Sequence, residues 1–276
     1  MSNGAWSYEG KRVAIAGCHS GMGLVVAETL VELGAEVHGV DIRPCPAAIA
    51  SFHTVDLTDW RAIDAAVAAI GGEIDALFNC AGLPQTFPAR DVVRVNFMGL
   101  RHWTEQWLPR MKAGSAVATI SSLAGMGYLQ NIPQLREVIA LDSEAALLDW
   151  IDAHPAEIAD GYGYSKQLLN AWTQIMAVEY APAGIRFNAT MPSPTQTPMI
   201  SAFEEVAGAA LLDAYCAPTF RRSTAAEQAL PMVFLNSDAA AFVSGVCLPV
   251  DGGFHGGVFS GSIDVAALMA KAMGGS

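Results

Sequence analysis

The stretch GYGYSK, residues 161–166, holds two tyrosines and one lysine. On a helix, side chains four apart lie one above the other, whereas side chains two apart point to opposite sides. Tyr162 and Lys166 therefore share a face, and Tyr164 does not. A free tyrosine has a pKa near ~10, too high for a base at neutral pH. A neighbouring ammonium stabilises the phenolate and lowers that value. Such a tyrosine takes the proton of a substrate hydroxyl as hydride leaves the carbinol carbon, or returns it in reverse. A serine from the pair Ser121–Ser122 would hydrogen-bond the same substrate oxygen. Without a cofactor site upstream, the same residues would read as a surface pair on an amphipathic helix.

Such a cofactor site is expected near the N-terminus. Gly17-Cys-His-Ser20-Gly21-Met22-Gly23 follows the run RVAIAG and precedes LVVAETLVELGA, whose apolar residues recur at helical spacing. Glycines at a strand-to-helix junction let the backbone approach a pyrophosphate, and the helix N-terminus offers N–H groups and a positive dipole end. The spacing is GxxxGxG, and its position within a first βαβ unit gives it meaning. Asp41 ends the second apolar run, where a carboxylate accepts hydrogen bonds from ribose hydroxyls and repels a 2′-phosphate. That favours NAD, with NADP less favoured. Arg43 is a competing signal, because an arginine there accommodates a 2′-phosphate. Asp56 and Leu57 are placed to meet the adenine, although Asp56 also reads as a cap for the next helix.

The elements that must hold these groups alternate. Short apolar runs at 12–17, 36–43, 53–59, 74–82, 115–122, 185–191 and 245–253 read as strands. Between them lie helical patterns, including WRAIDAAVAAIG, capped by Thr58 or Asp59, a long one over 92–111, another over 162–181 and one near 225–236. Near-continuous apolar strands alternating with helices predict a doubly wound parallel α/β sheet of Rossmann type, one domain over residues 1–276. Two stretches break the alternation. Residues 128–160 contain two helix-like pieces and no strand, the first started by Pro133 and the second capped by Asp142 or Ser143. Residues 194–224 are apolar where a sheet fold has a loop, and long loops in compact domains are usually functional.

A net charge of −12 with no basic block argues against a nucleic-acid partner. Five scattered cysteines without a CxxC pair read as reduced thiols, and no metal-ligand spacing occurs. Neither a signal-peptide run nor a membrane-span candidate is present, so a cytoplasmic protein without a membrane partner is expected.

Taken in order, GxxxGxG at 17–23, NCAG at 79–82, Asn96 in RVNFMG, ISSLAG at 120–125, YGYSK at 162–166 and MPSPTQTP at 191–198 resemble the short-chain dehydrogenase/reductases, over about residues 10–253. The resemblance implies a catalytic tetrad of Asn96, Ser122, Tyr162 and Lys166, with Asn96 helping a water connect Lys166 to solvent. Lys166 would also hold the nicotinamide ribose. Cofactor contacts would come from Cys80, Ala81 and Gly82, and from Pro192, Ser193, Thr195 and Thr197. Cys80 stands where the family often has asparagine, and Ser193 replaces the glycine of a common PG pair.

Ser122 and Tyr162 are 40 residues apart, far more than in ordinary members, and the interval from Asn79 to Asn96 is short. With VDIR, CAGLPQT and PTQTP, these features resemble bacterial 3α-hydroxysteroid dehydrogenase/carbonyl reductases. That implies an alcohol or ketone substrate, usually with NAD. Dehydrogenases of small aromatic alcohols or dihydrodiols are the alternative, and a dinucleotide-sensing protein without catalysis is a third reading. Insertion and trimming both touch helices that ordinary members use to form tetramers, so a homodimer is expected. Residues 194–224 would form a substrate lid presenting Met199, Ile200, Phe203, Val206, Leu211, Leu212, Tyr215 and Phe220, implying a bulky apolar substrate. The same stripe is also compatible with packing on the core. The tail, 254–276, ends in the helical run IDVAALMAKAM.

Overall fold

Val, Ile, Leu and Ala runs build a seven-stranded parallel sheet in the computed structural model, which describes residues 3–272. The strands are β1 (Arg12–Ala16), β2 (Glu36–Asp41), β3 (Ser51–Thr54), β4 (Ile74–Asn79), β5 (Met111–Ile120), β6 (Arg186–Pro192) and β9 (Cys247–Val250). Their order, β3-β2-β1-β4-β5-β6-β9, reverses direction between β1 and β4. The register pairs Ile15 with Gly39 on one side and with Phe78 on the other. In such sheets a ligand crevice opens at the carboxyl ends of the strands, beside the reversal.

Helices cover both faces. α1 (Gly21–Glu32) and α10 (Ala225–Asn236) bury Val26, Leu30, Met232 and Val233 against one face. α2 (Trp60–Ile70), α4 (Leu100–Trp107) and α7 (Gly161–Glu179) bury Ile63, Trp103, Leu168 and Trp172 against the other. Asp59, not Thr58, caps α2, its carboxylate accepting from Ala62 N at 3.1 Å.

Several predicted boundaries move. The strands expected over 53–59 and 74–82 stop at Thr54 and Asn79, because the residues beyond them turn out to line the crevice. The helix expected over 92–111 is interrupted. It runs as α3 (Ala89–Val93), a π-helical turn at Arg94–Gly99, α4 and a 3₁₀ turn, and Met111 already begins β5. Single π turns inside helices often mark functional sites, and this one carries Asn96.

Residues 128–160 fold as α5 (Ile132–Ile139) and α6 (Glu144–Ala153) without a strand. Pro133 lies in the first turn of α5, and Ser143 rather than Asp142 caps α6, accepting from Ala146 N at 3.2 Å. Leu135, Val138, Leu147 and Ile151 are buried in the same cluster as Leu168 and Leu169 of α7. The outer face of α7 is thus covered by its own chain.

The segment 194–224, predicted as a lid, holds α8 (Ile200–Ala207) and α9 (Ala209–Ala214), joined at Gly208, whose φ of 81° lies in the left-handed region that favours glycine. Its two ends meet in a short parallel bridge between β7 (Thr195–Gln196) and β8 (Ser223–Thr224). Gln228 of α10 fixes that root, donating to Ser223 Oγ at 2.9 Å and to the Val250 carbonyl at 2.8 Å. Arg222 joins the two lid helices, reaching Glu204 at 2.6 Å and Asp213 at 2.8 Å. Beyond the sheet, α11 (Phe254–Phe259) buries Phe254, and α12 (Val265–Ala272) packs against α9. The end of the predicted tail, 273–276, lies outside the described residues.

Ion pairs with partly exposed partners contribute little to global stability, about 1 kcal/mol or less. Arg222→Ala should therefore leave the melting temperature within a few degrees of wild type while limited proteolysis within 200–214 accelerates severalfold. Unchanged cleavage of the lid would show that Arg222 does not hold it.

Candidate active site

Glycines set how closely the chain approaches itself at the head of α1. A Cβ on Gly23 would overlap the Gly17 carbonyl oxygen, and one on Gly17 would overlap Ala81 N. Ser20, the N-cap residue of α1, makes no side-chain capping bond, and no acidic residue occupies the first turn. The first N–H groups of the helix are thus free to meet an anion. A cradle that excludes side chains and presents uncapped donors fits the pyrophosphate of a dinucleotide.

Beside it lies a cavity of about 670 Å³ lined by Gly17, Ser20, Asp41, Arg43, Asp56 and Leu57, among others. Asp41 accepts from His19 N at 3.0 Å and from Arg43 N at 3.2 Å, which fixes the carboxylate at the rim. Asp56 accepts from the N–H and the hydroxyl of Thr58, both at 2.8 Å, so it forms a local turn and does not cap α2. The Arg43 side chain makes no ion pair among the described residues.

A second cavity, of about 290 Å³, continues from the first, and the two share Cys80, Ala81, Gly82, Leu83 and Met199. It is lined by Met22, Ser121, Ser122, Tyr162 and Lys166, and by Pro192, Ser193, Thr195 and Thr197. Gly21 does not border either cavity, but a Cβ there would sit 3.4 Å from Thr197, so its place is at their junction. Thr195 Oγ1 donates to the Ser193 carbonyl at 2.7 Å.

The spacing argument for the two tyrosines holds in space. Lys166 Nζ lies 5.5 Å from the Tyr162 ring centroid. Tyr164 is turned into the core, stacked on Trp150 with ring centroids 5.9 Å apart. Lys166 Nζ donates to the Ile120 carbonyl at 2.9 Å. Ser121 Oγ is spent on the Lys166 carbonyl at 3.1 Å, whereas Ser122 Oγ accepts from Ala124 N at 3.1 Å. The Ser122 hydroxyl, which accepts from its own chain, turns its proton toward Tyr162, so the two hydroxyls converge on one point of the cavity. Asn96 holds Leu83 from both sides, accepting from its N at 2.6 Å and donating to its carbonyl at 3.0 Å. Its Nδ2 also reaches Ser165 Oγ at 3.3 Å, and Ser165 donates to the Tyr162 carbonyl at 2.7 Å. The Asn96 side chain is thus committed to protein partners, which leaves it little capacity for a water.

The electrostatics differ from the simple expectation. Burial pushes Tyr162 up to about 12, only partly offset by its hydrogen bond with Ser122, and Asp160 pushes the same way. Burial also brings Lys166 down to about 7. An ammonium was expected to pull the tyrosine down; in the protein alone, loss of solvent disfavours the charged form of both groups and outweighs their mutual attraction.

Of the predicted lid residues, Met199, Ile200, Phe203, Leu211, Leu212 and Tyr215 line the smaller cavity. Phe203 meets Tyr162 edge to face at 4.9 Å. Val206 and Phe220 do not join them: Val206, 56% exposed, lies on the solvent face of α8, and Phe220, 93% exposed, lies in the turn after α9. Two polar lining residues were not anticipated, Gln85 and Asp160. An aspartate just before a predicted helix signals an N-cap, and nothing in the sequence says that it also faces a cavity. Among the described residues no cluster of His, Cys, Asp or Glu could hold a metal ion, and no helix is long and apolar enough to cross a membrane.

Lys166 binds its proton less tightly folded, near 7, than unfolded, near ~10.4. Between those values the unfolded chain holds more protons, so this residue makes stability rise with pH. From pH 7 to about 8.5, below the titration of ordinary thiols, cofactor-free protein should gain up to about 1.4 kcal/mol per unit relative to Lys166→Met. Parallel denaturation curves for the two proteins across that range would contradict the assignment.

Comparison with known proteins agrees with this geometry. A family model described as short chain dehydrogenase matches residues 11–133, and one described as Enoyl-(Acyl carrier protein) reductase matches residues 151–255. Coniferyl-alcohol dehydrogenase of Pseudomonas sp. (strain HR199 / DSM 7063) is 30% identical over 247 residues, covering 88% of this chain and 96% of the relative. The 3-alpha-hydroxysteroid dehydrogenase/carbonyl reductase of Comamonas testosteroni is 30% identical over 247 residues, covering 87% and 95%. The crystal structure of 3-alpha-hydroxysteroid dehydrogenase from Pseudomonas sp. B-0831 complexed with NADH superposes with a TM-score of 0.76 at 26% identity, covering 92% of this chain and all of that one. The chain belongs to the short-chain dehydrogenase family, oxidoreductases that act on alcohols.

Proposed function

We propose that the chain is an NAD-linked dehydrogenase/reductase that interconverts a secondary alcohol and its ketone on a bulky apolar substrate, in the manner of 3α-hydroxysteroid dehydrogenase/carbonyl reductases. The observation that carries this reading is the convergence of Ser122, Tyr162 and Lys166 on an apolar cavity continuous with the dinucleotide groove. Gly17 and the segment Ser20–Gly23 would hold the pyrophosphate. Asp41 would take the adenosine ribose hydroxyls, with Arg43 at the rim and Asp56 and Leu57 beside the adenine. Cys80, Ala81, Gly82, Pro192, Ser193, Thr195 and Thr197 would line the nicotinamide half. When bound, the nicotinamide supplies the hydride acceptor or donor for the carbinol carbon.

The chain's own residues handle the proton. Ser122 donates its hydrogen bond to the substrate oxygen and orients it. Tyr162, protonated at neutral pH because burial holds it near 12, gives its proton to a ketone oxygen; in the oxidation direction it takes a proton from an alcohol only as its own proton passes on to Lys166. Lys166 sits beside it with a pKa near 7, suited to passing that proton onward. Asn96 acts by position, holding Leu83 and, through Ser165, the first turn of α7. Reduction should accordingly be fast at neutral pH, and oxidation should rise with pH.

A second reading, a dehydrogenase of small aromatic alcohols or dihydrodiols, is favoured by the cavity's size. Its volume of about 290 Å³ lies at the low end of small-molecule pockets, which span roughly 300–1,000 Å³. Coniferyl-alcohol dehydrogenase among the relatives points the same way.

Following absorbance at 340 nm with steroid and aryl alcohols, and with NAD against NADP, separates these readings. Tyr162→Phe should cut turnover by about 10²–10⁴-fold while NAD affinity stays within about twofold of wild type. Near-normal turnover in that variant would remove Tyr162 from the mechanism, and preference for NADP would remove the Asp41 argument. Because α5 and α6 cover the outer face of α7, we also propose a homodimer built from other surfaces. Light scattering should give twice the monomer mass, and a tetramer would refute the proposal.

A further inference from the structure

The smaller cavity is apolar apart from the reacting groups and a few others, among them Asp160, exposed at its edge, and Tyr215, half-buried in its wall. Asp160 caps α7 through one oxygen, Oδ1, which accepts from Gly163 N at 2.9 Å. Its Oδ2 accepts no hydrogen bond among the described residues. Gly163 leaves room for that carboxylate, since a Cβ there would overlap Oδ2. Across the cavity wall, Tyr215 of the lid has its ring tilted against Phe254 at 5.2 Å, which fixes its plane. Its hydroxyl likewise makes no hydrogen bond among the described residues, and both residues line the cavity. After burial, the Asp160 charge is what raises the Tyr215 pKa, so the two groups sense each other. An acceptor carrying a full charge and a hydroxyl that both donates and accepts thus border an otherwise apolar space.

We propose that Asp160 and Tyr215 form a polar subsite that selects uncharged substrates carrying a second hydroxyl group, apart from the one being oxidised or formed. A phenolic or alcoholic O–H placed there donates to Asp160 Oδ2 and receives the Tyr215 hydroxyl. A carboxylate in the same place meets a like charge and is rejected. A hydrogen bond to a charged group is stronger than one between neutral groups, so the discrimination falls mainly on Asp160. This inference rests on the alcohol–ketone reading above and names the substrate class within it.

Asp160→Asn is a clean probe, because asparagine caps helices as well as aspartate does and keeps the acceptor for Gly163 N. Calorimetric titration of the NAD⁺-loaded protein with ketones avoids turnover, since no hydride donor is present. The probes are acetophenone, its 3′- and 4′-hydroxy analogues and 4-acetylbenzoate. Wild type should bind at least one hydroxylated ketone about tenfold tighter than acetophenone, a difference of about 1.4 kcal/mol. In Asp160→Asn that preference should shrink to about twofold, and 4-acetylbenzoate should gain about tenfold in affinity. Tyr215→Phe should lose part of the hydroxyl preference and still exclude the carboxylate.

A wild-type protein without hydroxyl preference, or one whose preference survives in Asp160→Asn, would overturn the subsite. NADH oxidation with the same ketones reports separately on the reaction. Hydroxyl-selective binding without turnover would sink the alcohol–ketone reading and leave the subsite standing. Turnover with no discrimination would do the reverse.

Discussion

The site depends on how closely α7 seats against the end of β5. Three bonds make that seam: Lys166 Nζ to the Ile120 carbonyl, Ser121 Oγ to the Lys166 carbonyl, and Asn170 Nδ2 to the Gly125 carbonyl, the last at 3.1 Å. Only glycine permits it at 125, because a Cβ would stand 2.8 Å from the Lys166 carbonyl and from Asn170 Nδ2. Such an approach puts Ser122 and Tyr162 on one cavity although they are 40 positions apart in the chain. The residues between them fold outward as α5 and α6 and bury their apolar side chains against the far face of the same helix. This helical segment therefore lengthens the chain between the reacting groups without moving them apart. Long connections cost little in closure entropy when both ends are already fixed.

What was legible in the sequence was what rests on period and spacing. Continuous apolar runs gave the parallel sheet, and four-residue spacing chose Tyr162 over Tyr164. What was not legible rests on groups distant in sequence. The π turn at Arg94–Gly99 has no compositional mark; it follows from Asn96 reaching Leu83 and Ser165 while Phe97 and Trp103 stay in the core. The lid root at β7 and β8 pairs residues whose hydrogen bonds depend on Gln228 and Val250, far along the chain. Val206 and Phe220 carry the same apolar chemistry as Phe203; the orientation of α8 turns Val206 outward, and Phe220 falls in the turn after α9. Asp160 caps α7 in the structure, and its second oxygen acquires meaning only with the cavity around it.

Electrostatics depart from pairwise reasoning for a related cause. Considering Tyr162 and Lys166 alone, the opposite charges of phenolate and ammonium should draw the two pKa values apart and favour ionisation of both. Enclosure adds a cost to each charge separately. With Cys80 and Ile120 as near neighbours and little water, that cost dominates: Tyr162 is held near 12 and Lys166 near 7. At neutral pH the pair is then a neutral phenol beside an amine that is about half protonated. Transfer of a proton between substrate, tyrosine and lysine moves charge without first having to create a buried ion pair, which suits a site that must run in both directions.

Rigidity is graded in the same direction as chemical demand. Proton-handling groups stand just beyond β5, at Ser122, and on α7, two elements locked together by the seam of three bonds. Groups that would contact the rest of the substrate stand on α8 and α9, which are short, joined through Gly208 and held by the partly exposed Arg222 pairs. The exception is Asp160, a polar lining group placed on the rigid helix. Asp160 is set by the N-terminus of α7, whereas Tyr215 follows the end of α9. Discrimination by charge and discrimination by a hydroxyl partner are therefore separable in this architecture, the first set by the frame and the second by the lid.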